Sequence, residues 1–401
     1  MRSRLNSKSI KVIMLTSTFP RNKADIRGTI FHLSKKLSLS NIKIQVIAPI
    51  DYNALTQEMF GEIQVYRFQY FIPIRLQKLT YGFGMPVNLR ISLLAKLQLP
   101  LYLFVAFLRC LSLTRQNDVI HAHWALNGLV GVLIKKISNK PLILTVRGSD
   151  LRLMPKIITK IVLNNCDAII SPHPELTNYL KGYNMTNIAE IPNLIDEEKF
   201  NENVDFSDIQ VDLKKNGNTT VTFVAGLNEF KDPITFIRSI PHVIKIDPAI
   251  SFCLVGDGVL KGKIIDLIQN YELENYVIVL GNRNDINKIM NASTIFVALS
   301  PVENIWSNAI IEAMMCRIPC IITKSGTTEQ HLTHKENAFL IPPMDEIALA
   351  DAILTLATDS NLRVKLANGA KRLLIENGFT SDTIITDTIE LYKKVLGYMS
   401  K

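Results

Sequence analysis

NASTIFVALSPVENIWSNAIIEAMMCRIPCIITKSGTTE, residues Asn291–Glu329, reads as strand, loop, helix, strand and loop. Thr294–Leu299 is an apolar run of strand length, ended by Ser300-Pro301. Ser307 or Asn308 can cap a helix whose apolar face is Ala309, Ile310, Ala313 and Met314. Pro319 stops that helix, and Cys320–Thr323 is the next buried strand. A helix that opens after a strand is a ready anion site, because its first amide N–H groups lack partners. Glu303 lies just before this helix and Glu312 about a turn inside it. Both are acceptor-only and suit sugar or ribose hydroxyls. Together these residues describe a nucleotide-sugar site, with phosphate on the helix end and hydroxyls on the carboxylates. They equally suit a capped helix with two solvated glutamates.

Outward from that stretch, 401 residues imply two domains. A chain 47% hydrophobic and 20% charged is an ordinary globular protein, without repeats or low-complexity tracts. Cys110, Cys166, Cys253, Cys316 and Cys320 are few, odd in number and set mostly in apolar runs, which fits a reducing compartment. The basic start before Ile10–Leu15 resembles the opening of a signal peptide, but Thr16–Arg21 cuts the apolar run short, so a first core strand is expected. The charge of +9 is uneven, with +14 on residues 1–200 and −5 on residues 201–401. No nucleic-acid motif accompanies the basic half, and a surface facing anionic lipid explains it better.

Taken in order, strands at Ile10–Leu15 and Ile42–Ile47 flank a helix at Thr29–Leu39. Gly28 stands at the loop–helix junction, where a phosphate could approach the backbone or where the chain merely turns. No G-x-G-x-x-G occurs, so a dinucleotide fingerprint is not supported. Arg90–Thr114 is strongly apolar but broken by Lys96, Pro100 and Arg109, and its uninterrupted run is too short to span a bilayer. It reads as a buried core helix or, alternatively, as an amphipathic segment in a membrane interface. Asp118–Trp124 is a strand carrying His121 and His123 on one side; that permits a metal pair, but no third ligand is evident, so no metal site is expected. Leu142–Val146 is the next strand, followed by Arg147-Gly148-Ser149-Asp150. Both sets lie at strand ends, where open α/β sheets place ligands. The polar stretch 201–218 is the best boundary. Strands and helices resume at Thr220–Val224, Ser251–Val255 before Gly256-Asp257-Gly258, and Val277–Leu280, with closing helices at Ile347–Ala357, Leu362–Glu376 and Ser381–Leu396. Lys231, in the loop after the first of these strands, suits a diphosphate or simply the surface. The alternation predicts two α/β domains with mainly parallel sheets.

These motifs resemble the retaining family 4 glycosyltransferases, weakly over residues 10–200 and strongly over 220–345. That family's glutamate pair usually has seven intervening residues and then Ala-Met-Ala-x-Gly-x-Pro. Here eight residues separate Glu303 from Glu312, and Glu312-Ala-Met-Met-Cys-Arg-Ile-Pro319 follows, with Arg317 in the glycine's place. The His-x-His after an Asp-Val strand matches His121 and His123, and the family's His-Gly-x-Asp turn matches Arg147-Gly148-Ser149-Asp150 with arginine for histidine. Ile191–Phe200 resembles the segment that closes the first domain. Gly326 and Glu329 match the glycine-rich turn ending in glutamate. The family's Gly-Arg pair before the donor lysine is replaced by Ala225-Gly226, so the arginine is missing, and Arg283 or Arg317 would have to substitute.

The resemblance implies a GT-B architecture, two Rossmann-like domains facing a cleft. The expected divisions are an acceptor domain at 1–200, a linker at 201–218, a donor domain at 219–378, and a helix at 379–401 crossing back. It implies a retaining transferase that moves sugar from a nucleotide diphosphate donor to a hydroxyl of a glycan or lipid-linked acceptor. The implied roles are catalytic for His123, at the donor sugar or its leaving phosphate, and for Glu303, at the transferred sugar, and donor-binding for Gly28, Lys231, Ser307, Asn308 and Glu312, with Asp150, Arg283 and Arg317 as further candidates. No cofactor beyond the nucleotide sugar is expected, and the absence of any Asp-x-Asp leaves no metal–diphosphate motif. A cytoplasmic place, peripheral on the inner face of the plasma membrane, follows from the family and the basic half. The rivals are a sugar-nucleotide epimerase and a binding protein that has lost its chemistry.

Overall fold

The computed structural model describes residues 9–23, 28–82, 84–148, 151, 154–207, 209, 213, 217–301 and 306–398. It divides into two compact units, Met1–Leu194 with Ser381–Lys401, and Ile195–Thr380. The division falls at Leu194 and Ile195, before the polar 201–218 stretch, because Ile195 and Phe200 are buried among Ile310, Met314 and Phe379 of the second unit.

The first unit holds an eight-stranded sheet, formed by β1 (Lys11–Leu15), β2 (Lys43–Pro49), β3 (Gln57–Phe60), β4 (Ile63–Phe68), β5 (Val119–His123), β6 (Leu142–Thr145), β7 (Ala168–Ser171) and β8 (Ile188–Glu190). Their spatial order is β3-β4-β2-β1-β5-β6-β7-β8, parallel except where β3 meets β4. The helices are α1 (Thr29–Leu39), α2 (Met85–Ile91), α3 (Leu93–Thr114), α4 (Ala125–Ser138), α5 (Lys156–Asn164) and α6 (Pro174–Lys181). Every residue of β5, β6 and β7 is buried, as expected of a parallel sheet covered on both faces. One face is covered by α3, α4 and α5, whose core includes Tyr102, Val130 and Val162. On the other, Phe31 and Leu37 of α1 pack with Ile384 and Tyr392. Helix α4 comes close to the sheet because Gly131 has no side chain; a Cβ there would lie 2.6 Å from Leu142 Cδ1.

Arg90–Thr114 was expected as a buried core helix or an amphipathic segment too short in its apolar run to span a bilayer. The chain breaks at Ser92 and then forms one 22-residue helix from Leu93 to Thr114 that runs through Pro100, buried along one side and exposed along the other.

The second unit holds six parallel strands: β9 (Thr219–Val224), β10 (Ile250–Val255), β11 (Val277–Gly281), β12 (Ile295–Ala298), β13 (Cys320–Thr323) and β14 (Phe339–Ile341). Their order is β11-β10-β9-β12-β13-β14. The helices are α7 (Pro233–Ile244), α8 (Lys261–Asn270), α9 (Ile286–Asn291), α10 (Asn308–Met315), α11 (Thr328–His331), α12 (Glu346–Thr358) and α13 (Ser360–Glu376). The final helix, α14 (Ser381–Val395), belongs to the first unit and packs on α1.

Both sheets reverse their order of growth once. In the first the chain leaves β1 for β2 and later returns to pair β5 with β1; in the second it leaves β9 for β10 and returns to pair β12 with β9. The carboxyl ends of the strands at such a switch point leave a crevice, because the flanking connections run to opposite sides.

Candidate functional site

In the second unit a 240 Å³ cavity occupies that crevice, at the ends of β9 and β12. Its walls include Ala225 and Gly226 after β9, Ser300 after β12, Ser307 and Asn308 at the start of α10, and Lys231. Ser307 is the N-cap of α10, in extended conformation, and its side chain makes no capping bond to its own helix. The opening turn of α10 therefore brings backbone amides and a hydroxyl to a cavity that also holds a lysine, a combination suited to phosphate. Ser300 is fixed by Thr323, whose Oγ1 accepts from the Ser300 amide at 3.0 Å and donates to its carbonyl at 2.8 Å.

The loop bearing Lys231 is shaped from below by two glycines. A Cβ on Gly256, with φ of 138°, would lie 1.9 Å from the Ala225 carbonyl oxygen; one on Gly258 would lie 2.4 Å from that of Leu227. These close approaches allow Ala225 N–H to reach Val255 O at 3.1 Å and Leu227 N–H to reach Asp257 O at 3.0 Å. The sequence marked Gly256-Asp257-Gly258 only as a strand end; its role is to support the Lys231 loop. Asp232, at φ 44°, then caps α7 by accepting from the Thr235 amide at 3.3 Å.

Glu312 lies one turn beyond Asn308 on α10 and is half-buried. Burial pushes its carboxyl up to about 7, against the opposing pull of Lys199. Arg317 follows the α10 C-cap at φ 56°, the left-handed position that favours glycine. Its guanidinium bonds Asn368 Oδ1 at 2.6 Å and Glu202 at 3.3 Å. Arg283 pairs with both Asp285 oxygens, at 2.8 and 2.6 Å. Neither arginine is in the wall of the 240 Å³ cavity. Glu329 pairs with Lys324 at 3.0 Å. Glu303 and Asp150 lie outside the described residues.

The first unit has its own crevice, a 660 Å³ cavity at the ends of β1 and β5. The loop Thr16–Arg21, Gly28, Tyr81, His123 and Arg147 line it. Gly28, at φ 107°, is the N-cap of α1, and the space a Cβ would occupy is open. His123 is buried with both ring nitrogens lacking a hydrogen-bond partner among the described residues, and burial holds it well below the usual histidine range, helped by His121 and Arg147. It is thus a neutral ring whose donor and acceptor nitrogens are both unused among the described residues. Its ring lies 4.2 Å from that of His121, which burial pushes down to about 3. His121 is held from two sides, Nδ1 by the Tyr392 hydroxyl at 2.8 Å and Nε2 by Thr145 Oγ1 at 2.7 Å. Tyr392 escaped the sequence reading, since nothing local marks a partner 271 residues away. Among the described residues no cluster of three or more His, Cys, Asp or Glu could hold a metal ion.

The structure thus gathers Lys231, Ser307 and Asn308 at one cavity and Gly28 and His123 at another.

Comparison with known proteins fits this arrangement. Residues 29–199 match the family model described as Glycosyltransferase Family 4, and residues 205–373 match that of the glycosyl transferases group 1. A curated Escherichia coli relative, UDP-Gal:alpha-D-GlcNAc-diphosphoundecaprenol alpha-1,3-galactosyltransferase, is 27% identical over 69% of this chain and 75% of its own. N-acetyl-alpha-D-glucosaminyl L-malate synthase of Bacillus anthracis is 23% identical over 70% of this chain and 76% of its own. Among solved structures, sucrose-phosphate synthase from Thermosynechococcus elongatus superposes with a TM-score of 0.77 at 18% identity, covering 97% of this chain and 100% of that one. Anabaena HepE in complex with UDP and glucose gives 0.71 at 20% identity, covering 95% and 98%. The fold shared with these structures is GT-B.

Proposed function

The chain belongs to glycosyltransferase family 4, and from that premise we propose that it moves a sugar, with retention of anomeric configuration, from a nucleotide diphosphate sugar to a hydroxyl of a lipid-linked glycan. The observation that carries the reading is the convergence of Lys231 with the Ser307–Asn308 helix start in a cavity at the β9/β12 switch point. In the transfer, the bond from the anomeric carbon to the diphosphate breaks and the diphosphate keeps the electron pair. The acceptor oxygen forms the new bond, and its proton passes to the departing phosphate. The protein's work is to stabilise the charge that gathers on that leaving group, through preoriented amides, the Ser307 hydroxyl and the Lys231 ammonium. Glu312 holds the ribose, Glu303 the transferred sugar, and neutral His123 a sugar or phosphate oxygen. The basic first half favours action at the cytoplasmic face of the plasma membrane, in polysaccharide or glycolipid synthesis, and the substrate in the Escherichia coli relative's name is itself a lipid diphosphate.

The transfer needs no metal, since no Asp-x-Asp is present to carry a metal–diphosphate complex. Turnover therefore persists in EDTA; loss that a divalent ion rescues would refute this part. The main test is nucleoside diphosphate release from a panel of sugar nucleotides with membrane extract as acceptor source, beside Glu303→Gln and Lys231→Ala. Release from one donor, lost in both variants, supports the transferase. Gly226 at the cavity wall, where the family's arginine is missing, favours one second reading, a protein that binds the donor without consuming it. Donor binding with no release across every acceptor pool would establish that reading instead. Product formed without any acceptor would indicate an epimerase.

A further inference from the structure

We infer that the outward face of α3 is a docking surface for an anionic lipid bilayer, an inference that rests on the lipid-linked acceptor proposed above and gives it a place to be met. Helix α3 is 22 residues long and apolar enough, by length and composition, to cross a membrane. Its inner side holds it to the protein instead. Ala95, Gln98, Tyr102, Ala106 and Cys110 are fully buried. The Tyr102 hydroxyl donates to Asn127 of α4 at 2.8 Å, and Gln98 donates to the Leu76 carbonyl at 2.6 Å.

The opposite side is an aligned stripe. Leu93, Leu97, Leu101, Phe104 and Leu108 are spaced by four, four, three and four residues, and stand 72%, 67%, 45%, 60% and 47% exposed. At 1.5 Å per residue the stripe runs for about 22 Å along one side of the helix. Beside it in the same layer, Leu133 and Ile137 of α4 and Ile157 and Ile161 of α5 are also exposed. Single exposed apolar side chains need no explanation; a continuous stripe marks a contact surface.

Charge selects the partner. From Ile72 to Cys166 the chain has thirteen lysines and arginines against two carboxylates, Asp118 and Asp150. Arg90, Lys96, Lys136, Lys156 and Lys160, on α2 to α5, are all exposed. A second copy of the chain would bring the same positive charge against itself. An anionic leaflet answers both features, its acyl boundary taking the leucines and phenylalanine and its headgroups the lysines. Because the Tyr102 side stays in the core, α3 lies in the plane of the interface and does not cross it.

The test is flotation of the full chain with vesicles of phosphatidylcholine alone or mixed with phosphatidylglycerol, at low and high salt. The wild type binds the mixed vesicles and loses binding as salt rises. The Leu97→Ser/Phe104→Ser double variant binds at least about tenfold more weakly with an unchanged melting temperature, since each lost side chain removes apolar area from the interface. Lys156→Gln/Lys160→Gln weakens binding by about an order of magnitude and flattens the salt dependence. Failure of the wild type to bind either vesicle overturns the inference. So does a wild-type dimer that the double variant converts to monomer, which would make a second copy the occupant. Nucleoside diphosphate release with detergent-solubilised acceptor, measured without vesicles, separates the two ideas. Release without vesicle binding removes the docking surface alone, whereas vesicle binding without release removes the transferase alone.

Discussion

Replacing Glu312 with glutamine tests the electrostatics of α10, the helix that opens onto the 240 Å³ cavity. Burial raises this carboxyl from its ordinary 4.5 to about 7, with only Lys199 opposing. The unfolded chain releases the proton near 4.5 and the folded chain near 7, so between these values the folded state binds more protons. Stability therefore falls as pH rises through this window, and stays depressed above it, because a charged carboxylate is then held where water is scarce. The separation of the two values corresponds to about 3 kcal/mol. Glutamine keeps the shape and never charges. Glu312→Gln should therefore match the wild type near pH 4 and exceed it by about 3 kcal/mol near pH 8, a rise of about 6–12 °C in melting temperature for a unit of this size. Urea or thermal melts of both proteins at the two pH values measure the difference, in which every other titrating group cancels. An equal difference at both values would refute the reasoning, and so would a variant less stable at pH 8. If the ionised carboxylate also holds the ribose, the same variant binds donor more weakly while being more stable, because the amide is a poorer acceptor than the charge it replaces.

Three further outcomes follow from other contacts. Lys231→Ala removes the charge-assisted bond proposed to the donor phosphates and should weaken donor affinity by about ten- to a hundredfold, read by calorimetry. Tyr392→Phe leaves His121 Nδ1 buried without its 2.8 Å partner, costing about 1–3 kcal/mol of stability in denaturant melts; no change would mean that the hydroxyl does not anchor the ring. Gly256→Ala forces a Cβ to within 1.9 Å of the Ala225 carbonyl oxygen at a φ alien to alanine, so the loop must move. That substitution should cost about 3 kcal/mol or more and abolish donor binding, whereas Gly262→Ala, with nothing within 4 Å, should be harmless and provides the control.

What could be read locally was read from the chain alone. Apolar runs between breakers marked Cys320–Thr323 and Thr29–Leu39 at their observed bounds, because a strand covered on both faces and a helix covered on one leave those patterns in adjacent residues. Ser307 and Asn308 were legible for the same reason, as the start of a helix after a strand. The α3 segment was legible as a helix, but the sequence left open whether it is buried all round or exposes one side, because that rests on the packing of Tyr102 and Ala106 into the core. Which of its sides meets water is decided by α4 beneath it, and no window along the sequence contains α4's position. The same limit applies to the site. That β12 lies beside β9, that Gly256 supports the Lys231 loop, and that Tyr392 holds His121 are pairings of residues far apart in the chain. Residue type and spacing thus determined the elements, the family and the candidate chemistry. The choice of strand neighbours, made by burial across the whole domain, decided where the cavities open and which side chains share them.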